Sequence, residues 1–138
     1  MKLNLGAGDK YLEDFCNIDA NPEVHPDLIL KVPPLPFSDD SIDEIHASHF
    51  LEHVSELVEL MDECFRVLKS GGIMSIVVPY GLTHLAYQDP YHVRFFVPES
   101  FWYFTERMAY LKYPIKARFE ILVNEIYDKE LLVTLRKP

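Results

Sequence analysis

The segment that most constrains the fold joins an amphipathic stretch to an apolar run through a glycine turn. Between residues 55 and 69, apolar side chains recur at spacings of three and four, which predicts a helix with one buried face. Ser55 is a suitable N-cap, and Ser70-Gly71-Gly72 is expected to end the helix. The run that follows, residues 73–79, is apolar almost throughout, as in a central parallel strand covered on both faces. Together they indicate an α/β protein.

Six further segments have the apolar character of short strands. They are residues 2–5, 16–19, 27–30, 41–47, 118–124 and 130–136. The last two are separated by a turn near Asp128 and are expected to pair antiparallel. A short aromatic helix is predicted from Pro98 to Met108. The stretch between the first two strands, residues 9–15, is very short for a crossover, so we expect the first crossover helix to be shortened.

The composition is that of one ordinary globular domain covering residues 1–138, with 49% hydrophobic and 25% charged residues. Thirteen basic and 22 acidic side chains give a net charge of −9, which disfavours a nucleic-acid partner. Cys16 and Cys64 match no metal or redox spacing and are expected to be reduced. No signal-like region opens the sequence and no apolar run approaches about 18 residues, so we expect a cytoplasmic protein without a membrane partner.

Several residues that can bind a ligand come directly after predicted strands. Gly6-Ala7-Gly8 follows the first strand, Asp19 ends the second, and Ser48 and His49 follow the fourth. In an open parallel sheet, ligands bind at the carboxyl ends of the strands. Glycines let backbone amides approach a ligand, and Asp19 is placed to accept hydrogen bonds from two ribose hydroxyls. Gly-x-Gly alone is as often a plain turn, but the strand-end acid that follows favours a nucleoside-containing cofactor.

Four stretches, LNLGAG (3–8), NIDANP (17–22), LPFSDDSIDEIHASHFLEHV (35–54) and FRVLKSGGIMSIVVP (65–79), together resemble class I S-adenosylmethionine-dependent methyltransferases. The likeness is greatest to the small members of that superfamily known as predicted methyltransferases, which carry a block similar to DPYHVRFFVPESF (89–101). The resemblance implies a Rossmann-like three-layer α/β sandwich. Its sheet would be mainly parallel and seven-stranded, with a C-terminal antiparallel hairpin. The implied cofactor is S-adenosylmethionine.

The resemblance also implies a cofactor site around the first two strand ends. Gly6 and Gly8, with Ala7 between them, would line the methionine and ribose part of the cofactor. Asp19 would hold the ribose hydroxyls, and Ala20 would lie beside the adenine.

Further members of the implied site come from later in the sequence. Leu35 and Phe37 would help to wall the adenine, and Ser48 and His49 would lie near the methionine moiety. Relatives often carry an aspartate that reads the adenine amino group, where this sequence has Lys31. Because a lysine cannot accept that hydrogen bond, adenine recognition would fall to backbone carbonyls.

His49, Glu52 and His53 match H-x-x-E-H, a zinc-hydrolase signature. That interpretation needs one continuous helix and a third ligand, whereas the sequence places His49 at a strand end, before the predicted helix. We therefore predict no metal site. Glu52 and His53 are instead expected to hold the strand-to-helix turn by hydrogen bonds, which leaves His49 as the candidate near the chemistry.

The block after the fifth strand has two interpretations. Asp89 and His92 can belong to a polar loop, or they can cover the cofactor and bind the methyl acceptor, with His92 removing a proton. Methyl transfer needs little beyond alignment of an activated donor. The candidate catalytic residues are therefore His92, Asp89 and His49. The aromatic residues of 95–104 are expected to pack in the core or to form a homodimer contact.

The sequence thus predicts an S-adenosylmethionine-dependent methyltransferase acting on an unidentified acceptor. The alternative is a non-catalytic nucleoside-binding or assembly module on the same fold, which the short first crossover and Lys31 favour. A metal hydrolase is the least supported of the three.

Overall fold

The computed structural model describes all 138 residues, from Met1 to Pro138. The strands are β1 (Lys2–Leu5), β2 (Cys16–Asp19), β3 (Leu28–Ile29), β4 (Ile42–Ser48), β5 (Leu68–Pro79), β6 (Glu120–Tyr127) and β7 (Glu130–Arg136), and the α-helices are α1 (Leu57–Val67) and α2 (His84–Tyr87). Four 3-10 helices cover Pro22–Val24, Leu51–His53, Pro98–Phe104 and Glu106–Leu111. No helix combines the length and the apolar character that crossing a membrane requires.

All seven strands lie in one sheet in the order β3-β2-β1-β4-β5-β7-β6. β1 to β5 pair in parallel, and β7 pairs antiparallel with both β5 and β6. This confirms the predicted, mainly parallel sheet with a C-terminal antiparallel hairpin. The strand order reverses at β1, which lies between β2 and β4, so the crevice for a ligand is expected beyond the carboxyl ends of these strands.

One continuous core of 27 buried residues joins the sheet to α1. The buried face of α1 consists of Leu57, Leu60, Met61, Cys64 and Val67, at the predicted helical spacing. In β5 the burial alternates: Met74, Ile76 and Val78 are buried, whereas Ile73, Ser75 and Val77 are half-buried. One face of the central strand is therefore fully covered, and the other face is covered only in part.

The predicted bounds of the central helix were wrong at both ends. The first helical hydrogen bond runs from the Leu60 amide to the Glu56 carbonyl, so the helix begins two residues after Ser55, the expected N-cap. The helix ends at Val67 and β5 starts directly at Leu68. The glycine turn is part of the strand because Gly71 N–H donates to the Lys137 carbonyl, which extends the sheet to the last residues.

The helical layers are thinner than a three-layer sandwich implies. α1 is the one α-helix longer than four residues, and the helix predicted from Pro98 to Met108 is instead two 3-10 helices that meet at Thr105. Residues 9–15 contain no helix, so the first crossover helix is absent rather than shortened. Of the strand predicted over 27–30, Leu28 and Ile29 pair with β2.

Two buried asparagines take the place of the missing crossover helix. Asn4 in β1 donates from Nδ2 to Oδ1 of Asn17 in β2, at 2.8 Å, and to the Lys10 carbonyl, at 2.9 Å. Asn17 accepts from the Leu12 amide at 2.9 Å and donates to the carbonyls of Leu12 and Phe15 at 2.9 and 3.0 Å. Because backbone groups near a core need partners, these bonds let an irregular connection join two parallel strands.

We expect Asn17→Ala to lower the free energy of unfolding by roughly 2–4 kcal/mol, because it leaves backbone groups of Leu12 and Phe15 without partners. Denaturant unfolding followed by circular dichroism measures this loss. As a control, Asn21→Ala removes an exposed bond to the Glu23 amide and should cost about 1 kcal/mol at most. Equal losses in the two variants would contradict the role assigned to Asn17.

Candidate functional site

A cavity of about 420 Å³ opens beyond the carboxyl ends of β1, β2, β3 and β4, where the strand order reverses. Four short chain segments form its wall. The lining residues are Gly6, Gly8, Ile18, Asp19, Ala20, Leu30, Lys31, Val32, His49, Phe50, His53, Val54, Ser55 and Glu56. The cavity therefore lies where an open parallel sheet binds its ligands.

The glycine turn after β1 shapes one side of this cavity. Gly6 and Gly8 both have a positive φ, of +61° and +54°, which side chains other than glycine rarely adopt. A Cβ on Gly6 would collide with the ring of Phe50, so this glycine is required by close packing. A Cβ on Gly8 would meet no atom nearer than the Gly6 carbonyl oxygen at 4.0 Å, so the cavity is open there. Ala7 is buried beneath the turn.

Asp19 is anchored opposite the glycine turn. Its Oδ2 accepts a hydrogen bond from Gly8 N–H at 2.8 Å, and its Oδ1 accepts one from Asn21 N–H at 2.9 Å. An ionised carboxylate offers about four acceptor positions, so each oxygen keeps one for a ligand. The arrangement presents a fixed pair of acceptors to the cavity, suited to two neighbouring hydroxyl groups.

His49 projects into the cavity from the end of β4. Its amide donates to the Val77 carbonyl at 2.8 Å, and its φ of +52° then turns the chain away from the sheet. Its ring Nε2 contacts Oε2 of Glu130 in β7, and its Nδ1 lies 3.8 Å from Oε1 of Glu52. Ser48 remains within β4, half-buried, and is not part of the cavity wall.

Glu52 has an environment that the sequence did not indicate. Its side chain is 1% exposed and neither carboxylate oxygen has a hydrogen-bond partner. Burial raises the pKa of this carboxyl group, whereas its own backbone amide and then the neighbouring His53, His49 and His92 act in the opposite direction. The expectation that the Glu52 side chain pins the turn by hydrogen bonds was therefore wrong; its backbone carbonyl does so instead.

The segment after β5 folds back onto this turn. The amides of Val93 and Arg94 both donate to the Glu52 carbonyl, at 2.8 and 3.1 Å, and the Arg94 guanidinium donates to the carbonyls of Val54 and Ser55. His92 is thereby brought against His53, with the two rings edge to face at a centroid distance of 4.8 Å.

The structure separates the predicted site residues into two groups. Gly6, Gly8, Asp19, Ala20 and His49 lie together in the cavity wall. The remainder, Ala7, Leu35, Phe37, Ser48, Asp89 and His92, are not part of the wall.

Two of the residues outside the wall are held elsewhere by a long-range contact. The Arg66 guanidinium of α1 donates to the carbonyls of Leu35 and Phe37, at 3.0 and 2.9 Å, and fixes their loop on the helix. Sequence reasoning in turn missed Phe50, His53 and the segment 54–56 as wall residues. Their position immediately after the end of β4 is the sequence signal that could have identified them as wall residues.

The sequence model of a family described as methyltransferase domain matches residues 10–76 of this chain. A curated protein of Mycolicibacterium smegmatis, described as a probable S-adenosylmethionine-dependent methyltransferase, is 33% identical over 64 residues. The matched stretch covers 44% of this chain and 25% of that protein, so the similarity spans about a quarter of the length of the relative.

Solved structures resemble the chain over almost its whole length. An S-adenosylmethionine-dependent methyltransferase from Archaeoglobus fulgidus superposes with a TM-score of 0.70 at 16% identity, covering 99% of this chain and 85% of that chain. A second, from Mesorhizobium loti, superposes with a TM-score of 0.68 at 14% identity, covering 98% and 89%. At these identities the likeness shows a shared fold.

We expect Gly6→Ala to destabilise the protein by more than the conformational cost of a left-handed alanine, because its Cβ would also displace Phe50. Gly71→Ala is the matched control: this glycine has a φ of +82° and a Cβ added to it would meet no atom within 4 Å, so about 1–2 kcal/mol is expected. Gly6→Ala should lose a further 1–3 kcal/mol or so by overpacking. Denaturant unfolding compares the two, and equal losses would argue against the close packing of Gly6 on Phe50.

Proposed function

We propose that this chain is a class I S-adenosylmethionine-dependent methyltransferase, which binds S-adenosylmethionine in the cavity beyond β1, β2 and β4 and transfers its methyl group to an acceptor. The observation that carries the proposal is the anchored carboxylate of Asp19, held by the amides of Gly8 and Asn21 at a strand end. An acid in this position, facing an open glycine turn, fits the two hydroxyls of a ribose.

The residues present fit the cofactor on two counts. Asp19 keeps one unused acceptor position on each carboxylate oxygen, which matches two ribose hydroxyl donors. Gly8 leaves open space beside them, where the backbone can approach the sugar and the methionine moiety without a side chain intervening.

Adenine recognition is proposed to use the chain after β3. Leu30 and Val32, on either side of Lys31 in the sequence, supply apolar surface in the cavity wall, to which Ala20 also belongs. The backbone amide and carbonyl of Lys31 make no hydrogen bond within the chain. They can serve as a donor and an acceptor for the edge of the base, which removes the need for the aspartate that relatives place there.

The proposed role of the chain in methyl transfer is to align two reactants and to accept a proton. S-adenosylmethionine, when bound, would supply an activated methyl group on a positively charged sulfur, with a neutral thioether as the leaving group. Alignment alone accounts for much of such a rate. His49 is the proposed base for an acceptor hydroxyl or amine, because Glu130 holds its Nε2 and leaves Nδ1 to take the proton. His92, which packs against His53, and Asp89 beside it are proposed to position the acceptor.

Asp19→Asn is expected to weaken the binding of S-adenosylmethionine and S-adenosylhomocysteine by roughly 10- to 100-fold, since it removes the charge that strengthens two ribose hydrogen bonds. Isothermal titration calorimetry measures both affinities. Asp9→Asn is the matched control, because Asp9 follows the same glycine turn but is exposed and lies outside the cavity wall. The absence of binding by either compound to the unaltered protein at millimolar concentration would refute the proposal.

A turnover assay distinguishes a methyltransferase from a non-catalytic module that only binds the cofactor. A labelled methyl group should pass from S-adenosylmethionine to a component of a broad cell extract, and Asp19→Asn should abolish the transfer at low cofactor concentration. Tight cofactor binding without any transfer would favour the module.

We also propose a homodimer through an aromatic surface formed by Tyr87 and Phe95. Tyr87 and Phe95 stack at a centroid distance of 4.6 Å and are 61% and 47% exposed. Phe96, Phe101 and Phe104, which belong to the same aromatic segment 95–104, are buried in the core. Exposed aromatic pairs are typical of interfaces.

Light scattering at micromolar concentration is expected to give the mass of two chains. Phe95→Ser should reduce it to that of one chain, because it removes half of the stacked pair, whereas Tyr127→Ser, which alters an exposed aromatic in the hairpin, should not. A single-chain mass for the unaltered protein would contradict the dimer.

A further inference from the structure

We propose that Glu52, His53 and His92 bind a divalent transition-metal ion at the edge of the cavity. One ligand atom from each of the three side chains lies within 4.8 Å of the other two, and Glu52 Oε1 is 3.8 Å from His53 Nε2. Ligand atoms on a common ion are about 3.5 Å apart when the metal–ligand distance is about 2.1 Å, so rotations that move these atoms by roughly 1 Å complete the site. Two imidazoles and a carboxylate suit zinc, iron or manganese.

The buried Glu52 carboxylate is the first reason to place a cation here. Its side chain is 1% exposed, and both oxygens lack any hydrogen-bond partner. An unpaired carboxylate removed from water is costly, and such groups are normally paired, metal-bound or neutralised by a proton. No lysine or arginine forms an ion pair with Glu52, and the ionisable side chains that act on it are the imidazoles of His53, His49 and His92. The oxygens are thus directed at groups that can share a metal.

The tautomers of the two histidines are the second reason. His53 Nδ1 lies 3.2 Å from the Tyr91 carbonyl, and His92 Nδ1 lies 2.8 Å from the Ala86 carbonyl. A carbonyl oxygen can only accept, so each Nδ1 carries the hydrogen and, in the neutral ring, each Nε2 presents a lone pair. Metal-binding histidines are held in this way, with the second ring nitrogen donating to a carbonyl. Both residues are therefore oriented as ligands.

The surroundings of His92 Nε2 agree with a bound cation. Oδ2 of Asp89 lies 3.5 Å from this nitrogen, and Oδ1 of Asp89 is held by the Tyr91 amide. The Asp89 carboxylate would attract a metal ion bound at Nε2 and could approach it as a further ligand.

This ligand set differs from the one that the H-x-x-E-H pattern suggests. The pattern pairs His49 with His53 on a continuous helix, but Leu51–His53 is a single turn of 3-10 helix, and His49 contacts Glu130. The third ligand is His92, which packs against His53. One of the three ligands, His53, also belongs to the cavity wall, so the proposed ion would lie beside the cavity.

The test uses the purified chain after removal of metals with a chelator, without any cofactor. Calorimetric titration with Zn²⁺ and with Mn²⁺ should show one equivalent bound by at least one of the two ions. Glu52→Gln and His92→Ala should each weaken that binding at least about tenfold. His84→Ala, which alters an exposed histidine of α2 outside the cluster, should leave it unchanged.

A thermal readout separates loss of the site from loss of the fold. The bound ion should raise the melting temperature of the unaltered protein and of His84→Ala, and at the same metal concentration should raise that of Glu52→Gln by less. Glu52→Gln itself should fold as well as the original chain, because it replaces an unpaired buried charge by a neutral group of the same shape. No binding by the unaltered chain at millimolar metal, or equal binding by all variants, would overturn the proposal. Since no cofactor is present, neither result depends on the outcome with S-adenosylmethionine.

Discussion

The hydrogen bond between the buried side chains of Asn4 and Asn17 is the contact on which the site depends. Their other bonds satisfy the connection from β1 to β2, which therefore needs no helix, and Gly8 reaches Asp19 directly. A crossover helix would direct its N-terminal dipole at this edge of the sheet, where it favours anions such as phosphate. Here the edge presents a carboxylate on a chain of net charge −9. This electrostatic field suits a ligand with hydroxyls and a positive sulfur better than a nucleotide phosphate.

Most of the sheet could be predicted from the sequence because its strands are short apolar runs bounded by turn residues. The errors fall where tertiary pairing overrides local preference. Ser70-Gly71-Gly72 has the composition of a turn, yet it lies within β5 because Gly71 pairs with Lys137, far away in the chain. The helix expected from Pro98 to Met108 is broken at Thr105, whose hydroxyl oxygen accepts a hydrogen bond from the Arg107 amide. The absent crossover helix was foreseen only as a short one, since the role of the two asparagines is not a local signal.

The residues of the site also divide into those that local sequence could place and those that tertiary contacts decide. Gly6, Gly8 and Asp19 could be placed in the cavity because they follow strands. The carboxyl ends of parallel strands all lie at the same edge of the sheet, where the ligand crevice is found. Leu35 and Phe37 could not, because their loop is held on α1 by Arg66, a contact between residues about 30 positions apart. Phe50 was missed because its role is to pack on Gly6, and no pattern in the sequence joins the two.

The five residues His49 to His53 show why spacing along a chain is weak evidence for a metal centre. The i, i+4 pattern assumes a helix that brings both histidines to one face, and the left-handed backbone at His49 prevents that. What brings two histidines together is instead the pair of bonds from Val93 and Arg94 to the Glu52 carbonyl, which carries His92 to His53. The Glu52 side chain on the same turn is 1% exposed. The residue whose backbone holds the returning segment is therefore also the one whose buried carboxylate lies beside the two imidazoles.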